Sequence, residues 1–287
     1  MERLGNACDP PTHLYVWFIN MCVYVCWGQA SLDGTHPHQW TPPSVHDYFQ
    51  MEENGQFTKL TRTVEVFICH NGDLDFWNVG DVTYTTDDIM AWIQRATHSP
   101  CPSAVDSAGV AGVMDLLRTA GVWYHSIRFG FLFGPRRSSL QYPMPSKKQF
   151  AETSKVAQGV FEEVAETLKG QSYDCIREGV KDFLLAKVAR TKVLGLDLEG
   201  GHLVRFVNKS VDAFFDQDLL AAVRLFLANA KGSFGLCISC SLDADRQLVV
   251  AARGQTISIA FYPGSGLVLW GSEQAAVKAA LVGEKLD

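Results

Sequence analysis

Val64-Glu65-Val66-Phe67-Ile68-Cys69-His70-Asn71-Gly72-Asp73 is the stretch on which the fold of this chain turns. Val64 to Cys69 has the β-branched and aromatic composition of a short buried strand. It runs directly into His70-Asn71-Gly72, and Asn-Gly is the commonest dipeptide of a tight hairpin turn. A chemical reading stands beside that one. A strand that ends in such a turn sets the Asn71 side-chain amide next to the unhindered Gly72 N–H, and an acyl-transfer oxyanion needs two adjacent donors of this kind. Taken alone, the stretch leaves both readings open.

Working outward, Leu14 to Trp27 (LYVWFINMCVYVCW) reads as a second buried strand. It is interrupted by Asn20 and falls short of the roughly 20 apolar residues that a spanning helix requires. The residues before it lack the basic region of a secretory leader, so no membrane association is expected. Prolines 37, 42 and 43 mark the loop between the two strands. Residues 106–119 place Val110, Val113, Met114 and Leu117 at helical spacing behind Asp106-Ser107, a start that suits an N-cap.

From 147 to 190 the period is helical throughout. Phe150, Val156, Val160, Phe161, Val164 and Leu168 make one apolar face, Gly170 ends it, and Ile176, Val180, Phe183, Leu184 and Val188 make a second. The pair is expected to fold as a helical hairpin. A helix over 217–229, closed by Lys231-Gly232, precedes strand-like runs at Ser233–Cys240, Gln247–Ala252, Thr256–Phe261 and Gly266–Trp270, with a short helix from Ser272. Strand-rich ends that bracket helices predict an α+β fold and not a doubly wound one.

Composition narrows the function. With 47% hydrophobic and 20% charged residues the chain is globular, and a net charge of −6 with scattered basic residues excludes a phosphate-tracking surface, so no nucleic-acid partner is expected. The 8 cysteines are too sparse for a disulfide framework and several sit in apolar runs, which points to a reducing, cytoplasmic setting. Cys237 and Cys240 are three apart within a strand pattern, so their side chains face opposite ways and cannot share a ligand. Cys22 and Cys26 read as core. His36, His38 and His46 lack a cysteine or carboxylate at ligand spacing, and no metal centre or cofactor is expected. No nucleophile elbow, zinc helix or phosphate-binding glycine loop occurs.

Four segments, in order, resemble class II glutamine amidotransferases, the N-terminal-nucleophile domain found in glucosamine-6-phosphate synthase and amidophosphoribosyltransferase. Phe67 to Asp75 (FICHNGDLD) resembles the family's V-H-N-G-x-I-x-N. Cys26-Trp27-Gly28-Gln29 through Thr35-His36-Pro37-His38 resembles R-W-A-T-H-G followed by A-H-P-H, and Val105-Asp106-Ser107 resembles T-D-T-E-V-I. Leu219 to Gln274 resembles the family's closing strands, with Lys231-Gly232-Ser233-Phe234, Ala251-Ala252-Arg253-Gly254 and Trp270-Gly271-Ser272-Glu273-Gln274. The match spans residues 22–119 and 216–281.

The resemblance implies a single domain over 1–287, a four-layer αββα sandwich that hydrolyses L-glutamine to glutamate and ammonia for an acceptor on a synthase domain or subunit. Carried over by position, Asn71 and Gly72 form the oxyanion hole, Asp106 binds the α-ammonium, His70 belongs to the substrate-binding residues, and Trp27 lines the exit for ammonia. Residues 122–215, including the hairpin at 147–190, have no counterpart and read as an insertion. Three departures qualify the activity. The family's nucleophile is a cysteine at the mature N-terminus, whereas Glu2 stands here and Cys8 opens no similar motif. The first layer before Trp27 is absent, and Cys26 replaces the arginine that holds the substrate carboxylate, which leaves open whether Arg128, Arg136 or Arg253 stands in for it. The expectation is therefore a domain incomplete at its N-terminus and inactive as written, with a non-catalytic binding module as the alternative.

Overall fold

The computed structural model describes residues 15–20, 38–41, 43–52, 56–98, 106–134, 142–189, 192–196, 198–243, 247–262 and 267–279. Strands β1 (Tyr15–Asn20) and β2 (His38–Trp40) precede a hairpin of β3 (Ser44–Met51) and β4 (Phe57–Val64), then the long β5 (Val66–Val79) and its short return β6 (Val82–Thr85). Helices α1 (Thr86–Thr97), α2 (Asp106–Leu117), α3 (Trp123–Phe133), α4 (Lys147–Thr167), α5 (Tyr173–Val188), α6 (Gly200–Asp216) and α7 (Leu219–Leu227) follow. After them come β7 (Ala230–Cys240), β8 (Gln247–Arg253), β9 (Ser258–Tyr262), β10 (Leu267–Gly271) and α8 (Gln274–Ala279). The sheets are antiparallel and the helices lie together in the chain, which is the expected α+β class.

The main sheet runs β1-β8-β7-β5-β2, with β6 on the far end of β5. Alternation along its strands decides what covers each face. Val66, Ile68 and Leu74 of β5, Leu236 and Ile238 of β7 and Val249 and Ala251 of β8 meet α2 and α7 through Val110, Met114, Leu117, Val223 and Phe226. On the other face Cys237, Leu248 and Val250, with Cys69 against them, meet Ile257, Ile259 and Trp270. The last two belong to the two-stranded sheet of β9 and β10, on which α8 packs. Cys237 and Cys240 accordingly fall in different cores, as their spacing predicts.

The segment 122–215 builds a core of its own. Phe150, Ala157, Phe161 and Val164 of α4, Ile176, Val180 and Leu184 of α5, Phe206, Val207 and Phe214 of α6 and Ile127 and Phe131 of α3 pack together, and Phe49 of β3 seats them on the β3–β4 hairpin. Serine caps start both arms of the expected hairpin: Ser146 forms a reciprocal capping box with Gln149, and Ser172 accepts the Cys175 N–H. Gly170, with φ +83°, makes the turn between them.

Several expectations need correction. Val156 is 40% and Phe183 is 52% exposed, so neither joins the apolar face assigned to it. Each stands one position before a buried residue, Ala157 and Leu184, on the solvent-facing border of the apolar stripe. Lys231-Gly232 does not close a helix: α7 ends at Leu227, and β7 already begins at Ala230. The largest correction concerns the decisive stretch itself. His70-Asn71-Gly72 is not a turn at a strand end but the middle of β5, paired through to β7 as His70↔Leu236, Asn71↔Gly235 and Gly72↔Phe234. Gly72 takes φ +89° without leaving the ladder, and the hairpin turn falls at Gly80, φ +61°, eight positions later in the chain. Of the Leu14–Trp27 run, β1 covers residues 15–20 and the rest lies outside the described residues, as do Cys22, Cys26, Trp27, His36 and Arg136.

Candidate functional site

β5 and the start of α2 together form the site. Alternation turns His70 toward α2 and Asn71 toward the opposite face, with Gly72 between the two and Leu74. α2 packs on β5, and its glycines let α1 lie close beside it: a β-carbon on Gly109 would lie 2.8 Å from the Met90 sulfur, and one on Gly112 3.0 Å from Ile93. That docking delivers Asp106, the first residue of α2, to the edge of β5.

His70 Nδ1 lies 3.1 Å from the Ser107 hydroxyl and 3.6 Å from Asp106 Oδ2. Asp106 Oδ1 accepts the Ser107 N–H at 2.7 Å and the Ser107 hydroxyl at 3.3 Å. The Leu74 N–H donates to the same carboxylate, next to the point where the β5–β7 register slips between Leu74 and Phe76. Burial raises the pKa of Asp106, but the His70 contact and the two backbone donors outweigh it and hold the carboxyl below its usual range. Its side chain keeps 26% exposure, against 3% for His70. A carboxylate held ionised by these donors and open on one side is suited to a cationic ligand.

On the other face of the same step, Asn71 is half-buried opposite Gly235. A β-carbon on Gly235 would lie 2.9 Å from Ile257 and one on Gly72 3.0 Å from Gln255 Cγ, so missing side chains draw residues 255–257 up beside Asn71-Gly72. Sequence reasoning gave Ser107 only a part in the helix start and gave Leu74 and Gln255 no role. Ser107 was legible as the residue after the helix-start aspartate, whereas Leu74 and Gln255 arrive through backbone geometry and carry no sequence signal.

Of the arginines considered as carboxylate ligands, Arg128 and Arg253 are already engaged and Arg136 lies outside the described residues. Arg128 is 5% exposed, with Nη2 3.0 Å from His125 Nδ1 and 3.4 Å from Asp115. Arg253 donates to the Ala230 carbonyl and lies over the Phe234 ring, and burial lowers its pKa. His46 lies apart from β2, stacked on Tyr124 at 5.1 Å and edge-on to His125 at 4.6 Å. Comparison of the chain with protein-family models, with curated proteins and with solved structures finds no match.

Proposed function

We propose that this chain is a class II glutamine amidotransferase domain that binds L-glutamine for hydrolysis to glutamate and ammonia. The observation that carries the reading is the meeting of Asp106-Ser107 with His70, the residue that precedes Asn71-Gly72 on β5, two segments 37 residues apart at their hydrogen-bonded pair. The order of packing supports it as well: α2 and α7, the main sheet, the β9–β10 sheet and α8 stack in the sequence α, β, β, α, with 122–215 as the inserted part.

In this reading Asp106 holds the α-ammonium of glutamine. Hydrolysis would use the cysteine that the family carries at its mature N-terminus, where this sequence has Glu2. Its thiolate would add to the side-chain amide carbon, and the Asn71 amide and Gly72 N–H would receive the charge on the carbonyl oxygen. The C–N bond would then break as the departing nitrogen takes the proton that the cysteine's α-amine had removed from the thiol, ammonia would pass to an acceptor domain or subunit, and water would release glutamate from the thioester. The chain as written is therefore proposed to bind glutamine without turning it over. Binding can be tested apart from this chemistry. Calorimetric titration of the full chain with L-glutamine is expected to show one saturable site, weakened about tenfold or more in Asp106→Asn, the scale of a lost charge-assisted contact. N-acetyl-L-glutamine, which carries no ammonium, is expected not to bind. Equal binding of the acetylated compound, or none of L-glutamine, overturns the reading.

A further inference from the structure

We infer that His70 is a positioning residue that, through Nδ1 alone, orients the Asp106 carboxylate toward an incoming ammonium without touching the ligand. For its function this rests on the glutamine-binding reading; for its geometry it rests on the site itself. His70 is too enclosed to meet a ligand, since its side chain is 3% exposed where that of Asp106 is 26%. Its contacts all run from one nitrogen. Nδ1 faces Ser107 Oγ and Asp106 Oδ2, while Nε2 is buried and has no hydrogen-bond partner among the described residues.

The hydrogen-bond directions are set by the acceptors. The ionised Asp106 takes the Ser107 hydroxyl proton on Oδ1, so the Ser107 oxygen is left to accept, and Nδ1 carries the donated hydrogen. A relay Nδ1–H to Oγ–H to Oδ1 results, and it pins the rotamer of Asp106 from the buried side. Among the described residues no lysine or arginine acts on Asp106, so no permanent cation occupies the carboxylate that a ligand ammonium would meet.

Two isosteres separate the nitrogens. Asparagine places its side-chain N–H where Nδ1 stands, and glutamine places its own where Nε2 stands. His70→Asn is therefore expected to bind L-glutamine within about threefold of the parent chain, and His70→Gln to lose about tenfold. Unchanged binding in His70→Gln overturns the inference. So does an equal loss in both variants, the mark of a merely structural histidine. If the parent chain takes up no L-glutamine, the functional reading fails and the geometry is judged separately, by carbon-13 NMR titration of the Asp106 carboxyl. Its titratable neighbour is His70 from β5, the Ser107 and Leu74 groups being its other contacts. The Asp106 midpoint is then expected to rise in His70→Gln and to stay in His70→Asn, and an unmoved midpoint in His70→Gln overturns the inference.

Discussion

Arg118 and Asp243 clasp each other inside the core: Nε donates to Oδ2 at 2.5 Å and Nη2 to Oδ1 at 2.7 Å, with the arginine 1% exposed. A third donor, Nη1, holds the Ala120 carbonyl at 2.5 Å. The clasp joins the chain just after α2 to the turn after β7, and so fixes the helix that bears Asp106 against the sheet that bears Asn71 and Gly72. Asp243→Ala leaves a buried guanidinium without its counter-charge, which is expected to cost about 3–5 kcal/mol in urea unfolding. Arg118→Met combined with Asp243→Leu is expected to recover much of that loss, because it removes the stranded charge.

Gly72 is required by contact as well as by conformation. A β-carbon there would stand 2.1 Å from the Ser233 carbonyl oxygen, in a residue whose φ is +89°. Gly72→Ala is expected to destabilise by about 2 kcal/mol or more, since the β5–β7 ladder must part. Gly80 has φ +61° and nothing within 4 Å of its β-carbon, so Gly80→Ala is expected to cost only the conformational term, about 1–2 kcal/mol. Thermal melts of the two variants side by side measure the difference.

The imidazoles of His46 and His125 are held neutral. Burial, then the Arg128 charge, lower the His46 pKa to about 4, and the same two causes push His125 well below its usual value. Unfolded histidine takes a proton near pH 6.5, so between there and the depressed folded values the unfolded state binds more protons. Stability is therefore expected to be full above about pH 6.5 and to fall as the pH drops toward 4. Denaturation midpoints against pH check this, and His46→Gln is expected to flatten part of the slope.

Packing in the inserted segment centres on Phe161, which is 1% exposed and lies 5.0 Å from the Phe49 ring, 4.8 Å from Phe57 and 5.0 Å from Phe214. Phe161→Ala is expected to lose about 3–5 kcal/mol. Phe183→Gln, on the open side of α5, is expected to change stability by less than about 0.5 kcal/mol. Urea midpoints of the two variants decide it.

Helices were the most legible part of the sequence. In α4 and α5 the buried positions repeat at helical spacing and serine caps announce each start, while Val156 and Phe183 misled because an apolar residue beside the stripe looks like part of it. α6 carried the same spacing in Leu203, Phe206, Val207, Val211 and Phe214 but went unread, as did α1 and α3. β5 was read too short because Asn71-Gly72 has turn chemistry, and only the partner strand shows that Gly72 bends within the ladder. The β3–β4 hairpin went unread because Lys59, Thr61 and Thr63 make one face of β4 polar, and the residues that meet that face through Phe57 and Lys59, Phe161 and Glu162, come from α4, far along the chain. At the site, Asp106, Asn71 and Gly72 were nameable from motif and order, but the Leu74 N–H and Gln255 are placed by a register slip and by absent β-carbons.

The most direct test of the central claim is a crystal structure of the chain with L-glutamine bound. The account predicts the α-ammonium within about 3 Å of an Asp106 carboxylate oxygen and the side-chain amide oxygen facing the Asn71 amide and Gly72 N–H, at ordinary hydrogen-bond distances. Glutamine seated elsewhere, with Asp106 still closed on His70 and Ser107 alone, would contradict it.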